Sequence, residues 1–144
     1  KIKKLHLEDR VKFHLADGEN LPFQNNSFNS AVCAFGVRNF SDKCKGIKEM
    51  RRVIKEKGRI VILEFSQPEN RLFRFLYYFY FKKMLPLIGG LISGKLSAYQ
   101  YLPDSVVNFY SQEELKLVME KAGLKKINYF TLTFGIVTVH TGYK

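Results

Sequence analysis

Tryptophan is absent, cysteine is limited to two residues and proline to four in a chain of 144. Cys33 sits in an apolar run and Cys44 near the start of a basic segment, with neither a CxxC pair nor Cys/His spacing. That excludes a disulfide framework and a zinc site, and it favours a reducing compartment, so the cytoplasm is the expected location. Acidic residues are also scarce, 13 Asp and Glu against 24 Lys and Arg, for a net charge of +11. Such a balance favours phosphate-rich surfaces without choosing between nucleic acid and anionic lipid. Long hydrophobic runs are missing too. The most apolar stretch, Leu72 to Ile92, is broken by Arg74, Lys82, Lys83, Pro86 and Gly89-Gly90, and no window reaches the roughly 18 uncharged residues that a membrane span needs. The opening KIKKLHLEDRVKF has no apolar core and no small-residue cleavage site, so no secretory signal is expected.

What is present is an ordinary globular composition, 46% hydrophobic and 26% charged, without repeats, in which Gly, Pro and Asn punctuate alternating strand-like and helix-like pieces. Val11 to Leu15 reads as a short strand ending at Asp17-Gly18, and residues 20–26 read as a loop. Ala31 to Phe35 is a continuous apolar run, as in a parallel strand buried on both faces. Ser41 or Asp42 caps a helix carrying Ile47, Met50 and Val53/Ile54 on one side, with Gly58 just past its end. Ile60 to Phe65 is a second buried strand. Ser111 and Glu114 form a capping box ahead of an inward stripe of Leu115, Val118, Met119 and Ala122, closed by Gly123. Lys126 to Thr133 and Ile136 to His140 are near enough for an antiparallel hairpin. Residues 71–101 stand apart, with Phe73 to Phe81 crowded with aromatics, and read as a helical insertion over a pocket. The whole predicts an α/β sheet whose ligands lie at the carboxyl ends of its parallel strands, near Ala16 to Gly18, Phe35 to Asn39 and Glu64 to Gln67.

At those strand ends the sequence becomes specific. ADGENLPFQNNSFNSAVCAFGVRNFSDK, RRVIKEKGRIVILEFSQP, YQYLPDSV and the final HTGYK together resemble the ubiquinone/menaquinone biosynthesis C-methyltransferases, a family of class I, S-adenosylmethionine-dependent enzymes. The resemblance implies a Rossmann-like methyltransferase sheet, here its C-terminal part: parallel strands plus a terminal antiparallel hairpin. It also implies methyl transfer from S-adenosylmethionine to a polyprenyl hydroquinone, a demethylmenaquinol or a ubiquinone precursor.

Each candidate residue carries its own chemistry beside a plainer reading. The Asp17 carboxylate only accepts hydrogen bonds, which suits an adenine amino group, with the Gly18 N–H available to a ring nitrogen; an Asx turn is the plain alternative. Ala34 and Phe35 end a strand where the resemblance places cofactor contacts, and core packing is the alternative. Arg38 and Asn39 bring two strong hydrogen-bonding groups to the cleft. Arg38 stays charged at neutral pH, so its expected role is to stabilise an anionic ring oxygen while Asn39 orients that oxygen or a water. The alternative is a structural clip between Arg38 and Asp42 or Glu64. Tyr99, Tyr101 and His140 fall in matching phrases and are secondary pocket candidates. The basic row Lys43, Lys45, Lys48, Arg51, Arg52, Lys55 and Lys57 reads as a solvated helix face, or as a means of peripheral contact with anionic lipid at the inner face of a membrane.

No GxGxG loop occurs anywhere in the chain. The family's glycine-rich loop and the acidic residue that takes the ribose hydroxyls therefore have no counterpart here, and the chain reads as an incomplete methyltransferase domain, inactive alone. In this fold the first strand would lack its partner and Ala31 to Phe35 would form an open apolar edge, predicting self-association or pairing with a missing N-terminal part. Two other readings compete: a nucleic-acid methyltransferase, weakened because the aromatics form one block instead of interleaving with Arg and Lys, and a non-catalytic assembly subunit of quinone biosynthesis.

Overall fold

The computed structural model describes residues 2–68, 70–80 and 105–144. The sheet has four strands: β1 Phe28–Ala34, β2 Ile54–Phe65, β3 Lys125–Leu132 and β4 Val137–Tyr143, in the order β1-β2-β4-β3. β1 and β2 are parallel, with Ala31 beside Ile60 and Ala34 beside Leu63, while β4 runs antiparallel to both β2 and β3. The expected α/β arrangement, parallel strands followed by an antiparallel hairpin, is therefore present, with β4 inserted between β2 and β3.

Three described helices complete the order: α1 Lys43–Val53, α2 Arg71–Phe79 and α3 Gln112–Lys121. Asp42 caps α1 by accepting from the Lys45 N–H, and the Ser111/Glu114 capping box opens α3, as their sequences predict. α1 presents Ile47, Met50 and Val53 inward, and α3 presents Leu115 and Met119. These pack on one face of the sheet against Ile60 and Ile62, both fully buried. At roughly 1.5–3 kcal/mol for each large aliphatic side chain removed from water, this layer is the main source of stability. Arg51 ties the two helices together, its Nε donating to the Gly123 carbonyl at 3.0 Å.

Three expectations need correction. Val11 to Leu15 is not a strand: among the described residues no neighbouring strand pairs with it, Phe13 is 81% exposed and Leu15 fully so. An alternating apolar pattern forms a strand only where another strand accepts its hydrogen bonds. Asp17 consequently ends no strand and instead bridges to Asn20 across a turn. Gly58 does not stop α1, because the helix ends at Val53 and Ile54 already pairs with Phe28. It is Lys57 that takes the left-handed conformation (φ 64°), and Gly58 is needed because a Cβ there would lie 2.7 Å from the Lys55 carbonyl oxygen and 2.8 Å from that of Asn29. The open edge is present, and the strand at Ala31 to Phe35 is consequently not buried on both faces as expected: Val32 of β1, which has no neighbour beyond it among the described residues, is 69% exposed, and Ala34 is exposed as well.

Candidate functional site

The carboxyl ends of β1 and β2 carry the candidate site. β1 ends at Ala34, which is exposed, and the chain turns at Phe35 with a left-handed φ of 54°. The Phe35 N–H still donates to the Leu63 carbonyl at 2.8 Å, and its ring packs at a tilt against Phe65 with centroids 4.7 Å apart. Val37, fully buried, anchors the short turn that follows, so Arg38 and Asn39 are fixed beside the strand end. Asn39 is exposed, and its N–H donates to the Gly36 carbonyl.

Of the two carboxylates considered as partners for Arg38, the structure chooses Glu64. Nη1 of Arg38 donates to Glu64 Oε2 at 3.0 Å, with 10% and 1% of the two side chains exposed, and also to the Phe35 carbonyl at 2.6 Å. Asp42 is occupied as the cap of α1. The guanidinium carbon lies 5.4 Å from the centre of the Phe65 ring, and Nε is buried without a partner among the described residues.

Asp17 and Gly18 come to the same end of the sheet through contacts that the sequence does not reveal. Asp17 is exposed and its Oδ1 accepts from the Glu19 N–H at 2.9 Å, an Asx turn. Glu19 reaches across to the start of α1, its Oε1 accepting from the N–H groups of Ser41 and Asp42 at 2.5 and 3.2 Å. Gly18 lies against one edge of the Phe40 ring, where a Cβ would sit 2.5 Å from Cε1, and Gly46 of α1 lies against the other edge. The loop at residues 21–26 is latched by a pair that the basic row concealed. Arg52 donates to the carbonyls of Leu21 and Phe23 and to Asn25 Oδ1, while Glu49 accepts from the Leu21 N–H. Its hydrogen bonds from Arg52 hold the Glu49 carboxyl below the usual range. With Arg51, Arg52, Lys43 and Lys55 all bonded internally, the row is not simply a solvated face.

His140, a secondary pocket candidate, sits in the core with its Nδ1 buried and without a hydrogen-bond partner among the described residues. It lies on the helix-covered face of β4, almost wholly buried, with Nε2 2.9 Å from the Gln112 carbonyl oxygen, and burial pushes its pKa down. Tyr99, Tyr101 and the other residues of the 71–101 segment beyond Tyr80 lie outside the described residues. α2 lies at the start of that segment, and its outward side is apolar: Leu72, Phe75, Leu76 and Phe79 are exposed, while Tyr77 is buried with its phenol pKa pushed up by burial to about 12. Between α2 and the β3–β4 turn lies a groove of about 520 Å³ lined by Leu72, Phe73, Leu76 and Phe134 among others. Its lining residues Thr131, Phe134 and Gly135 belong to the β3–β4 end that adjoins the Phe65–Val137 pair.

A protein-family model, the ubiE/COQ5 methyltransferase family, matches residues 1–144. The chain belongs to this family. Relatives are named ubiquinone/menaquinone biosynthesis C-methyltransferase UbiE: that of Geotalea uraniireducens is 53% identical over 94% of this chain, and that of Citrifermentans bemidjiense 49% identical over all of it. The chain spans about three fifths of their length, 57% and 61% respectively. Among solved structures, a SAM-dependent methyltransferase from Aquifex aeolicus matches with a TM-score of 0.63 at 18% identity, over 98% of this chain and 58% of its own. The [4+2]-cyclase SpnF matches with a TM-score of 0.71 at 16% identity, over 99% and 60%. These likenesses show the class I methyltransferase fold, which is also used for a cyclisation, so the reaction has to be argued from the site.

Proposed function

We propose that this chain supplies one side of the methyl-transfer site of an S-adenosylmethionine-dependent C-methyltransferase acting on a polyprenyl hydroquinone in ubiquinone or menaquinone biosynthesis. The observation that carries the reading is the gathering of Asp17-Gly18, Ala34-Phe35 and Arg38-Asn39 at one sheet end, within a chain that belongs to the ubiE/COQ5 family. These residues fit the cofactor's chemistry. Asp17 offers an exposed, acceptor-only carboxylate to an amino group, Gly18 offers a backbone N–H, and Ala34 with Phe35 forms an open apolar ledge. When bound, S-adenosylmethionine supplies an electrophilic methyl group.

Arg38 keeps its charge at neutral pH and its buried Nε–H still needs an acceptor, so it is suited to stabilise the anionic oxygen of a hydroquinone ring and raise the nucleophilicity of the ring carbon. Asn39 orients that oxygen or a water. The groove beside α2 receives the prenyl chain, and the outward apolar residues of α2, in a chain of net charge +11, provide peripheral contact with anionic lipid. The open edge of β1 takes up a further strand in the longer protein.

The test is transfer of labelled methyl from S-adenosylmethionine to a short-chain demethylmenaquinol by the chain joined to the upstream residues of its longer relatives. Arg38→Lys retains the charge facing Glu64 and is expected to lower turnover about 10²-fold while leaving cofactor affinity nearly unchanged. Unchanged turnover removes Arg38 from its role, and no transfer by the unsubstituted protein refutes the function.

A further inference from the structure

The Phe35–Asn39 turn is held in an unfavourable shape by one acidic side chain. Phe35 is a bulky residue with φ 54°, a conformation that persists only where its surroundings over-determine it. Both oxygens of Glu64 are engaged there: Oε1 accepts from the Arg38 backbone N–H at 3.1 Å, and Oε2 accepts from Arg38 Nη1 at 3.0 Å and from the Phe65 N–H at 3.2 Å. Nη1 in turn donates to the carbonyl of Phe35, so the strained residue, the guanidinium and the carboxylate close a single ring of bonds. Phe65 completes the frame by packing at a tilt against Phe35 and lying beneath the guanidinium.

A buried ion pair is poor material for stability, because desolvation offsets most of the attraction, and an apolar pair of similar volume often serves as well. Three donors on one buried carboxylate do serve geometry. They fix the backbone at Arg38 and at Phe65 and the direction of the Arg38 side chain, which in turn holds the Phe35 carbonyl. Proton abstraction is a poor fit for the same group, since both its oxygens are already accepting and a cation lies against one of them.

We propose that Glu64 is a positioning residue of the methyl-transfer site, holding the Phe35–Asn39 turn and aiming Arg38 without itself touching substrate or cofactor. This rests on the methyltransferase reading above. The assignment goes beyond pairing: Glu64 acts on turnover through Arg38 and Phe35, and its removal leaves the cofactor's own acceptors, such as Asp17, in place.

The experiment uses Glu64→Gln in the chain joined to its relatives' upstream residues. A displacement of reacting groups by about 1 Å costs up to ~10²-fold in rate, so kcat is expected to fall about 10–100-fold. The Kd for S-adenosylmethionine is expected to stay within about threefold and the pH–rate profile to keep both limbs. Exchange of the Arg38 amide hydrogen is expected to accelerate about tenfold or more, a readout independent of activity. Unchanged kcat overturns the proposal, as does the loss of one limb of the pH profile, which would assign proton transfer instead. If Glu64→Gln does not fold, exchange in the unsubstituted protein decides: an Arg38 amide as protected as those within β2 supports the clip, and free-loop exchange at Arg38 overturns it. If the unsubstituted protein transfers no methyl group, the function fails, while the exchange data still judge the clip.

Discussion

Replacing Gly46 by alanine should destabilise the protein, against the usual rule for helices. Gly46 lies inside α1, where alanine is favoured over glycine by about 1 kcal/mol. The added methyl would, however, overlap Cδ2 and Cε2 of Phe40, whose opposite edge already meets Gly18. The half-buried ring cannot retreat toward Gly18, so the overpacking cost belongs in the upper part of the roughly 1–3 kcal/mol range typical of well-filled cores. The net is a loss of about 1–2 kcal/mol. With a urea slope near 2 kcal/mol/M, the unfolding midpoint should fall by about 0.5–1 M. In a Phe40→Ala background the obstacle is gone, and the same substitution should raise the midpoint instead. Urea titrations of the four proteins in this cycle give the sign directly. A higher midpoint for Gly46→Ala alone would refute the ring's lodging between Gly18 and Gly46.

Three further outcomes follow from the same contacts. Burial lowers the pKa of His140, so the unfolded chain binds a proton below about pH 6.5 that the folded chain does not. Stability should therefore fall as pH drops through 6.5, by at most about 1.4 kcal/mol per pH unit, and His140→Gln should flatten that slope in urea midpoints taken from pH 7 to 5. Arg52→Ala removes the donors holding Leu21, Phe23 and Asn25, so proteolytic nicking should appear within residues 21–26 while α1 stays protected; unchanged cleavage would show the loop is held otherwise. Gly18→Ala, with its Cβ 2.5 Å from Phe40, should weaken S-adenosylmethionine binding in the joined protein about fivefold or more, as measured by calorimetry, if the Asp17 turn forms part of the cofactor site.

Local signals in the sequence carry over into the structure where the chemistry itself is local. The Asp42 cap, the Ser111/Glu114 box and the apolar stripes of α1 and α3 are set by neighbours within a turn or two, and all appear in their expected places. What depends on distant pairing does not show in the sequence. Val11 to Leu15 has a strand's pattern but no strand beside it, and α1 stops before Gly58 because Ile54 is drawn into register with Phe28. The choice of Glu64 over Asp42 for Arg38 rests on the β1–β2 register, which places Glu64 on the buried, helix-covered face. Gly18 and Gly46 are far apart in sequence and share only the Phe40 ring. Arg52 resembled one more surface cation until the loop carbonyls gathered around it.

The central claim, that these strand ends form part of an S-adenosylmethionine site, is tested most directly by titrating S-adenosylmethionine calorimetrically into the 144-residue chain and into the chain joined to its relatives' upstream residues. The account predicts saturable binding by the joined protein and none by the chain alone, which lacks a glycine-rich loop. No binding by the joined protein, or equal binding by both, would contradict it.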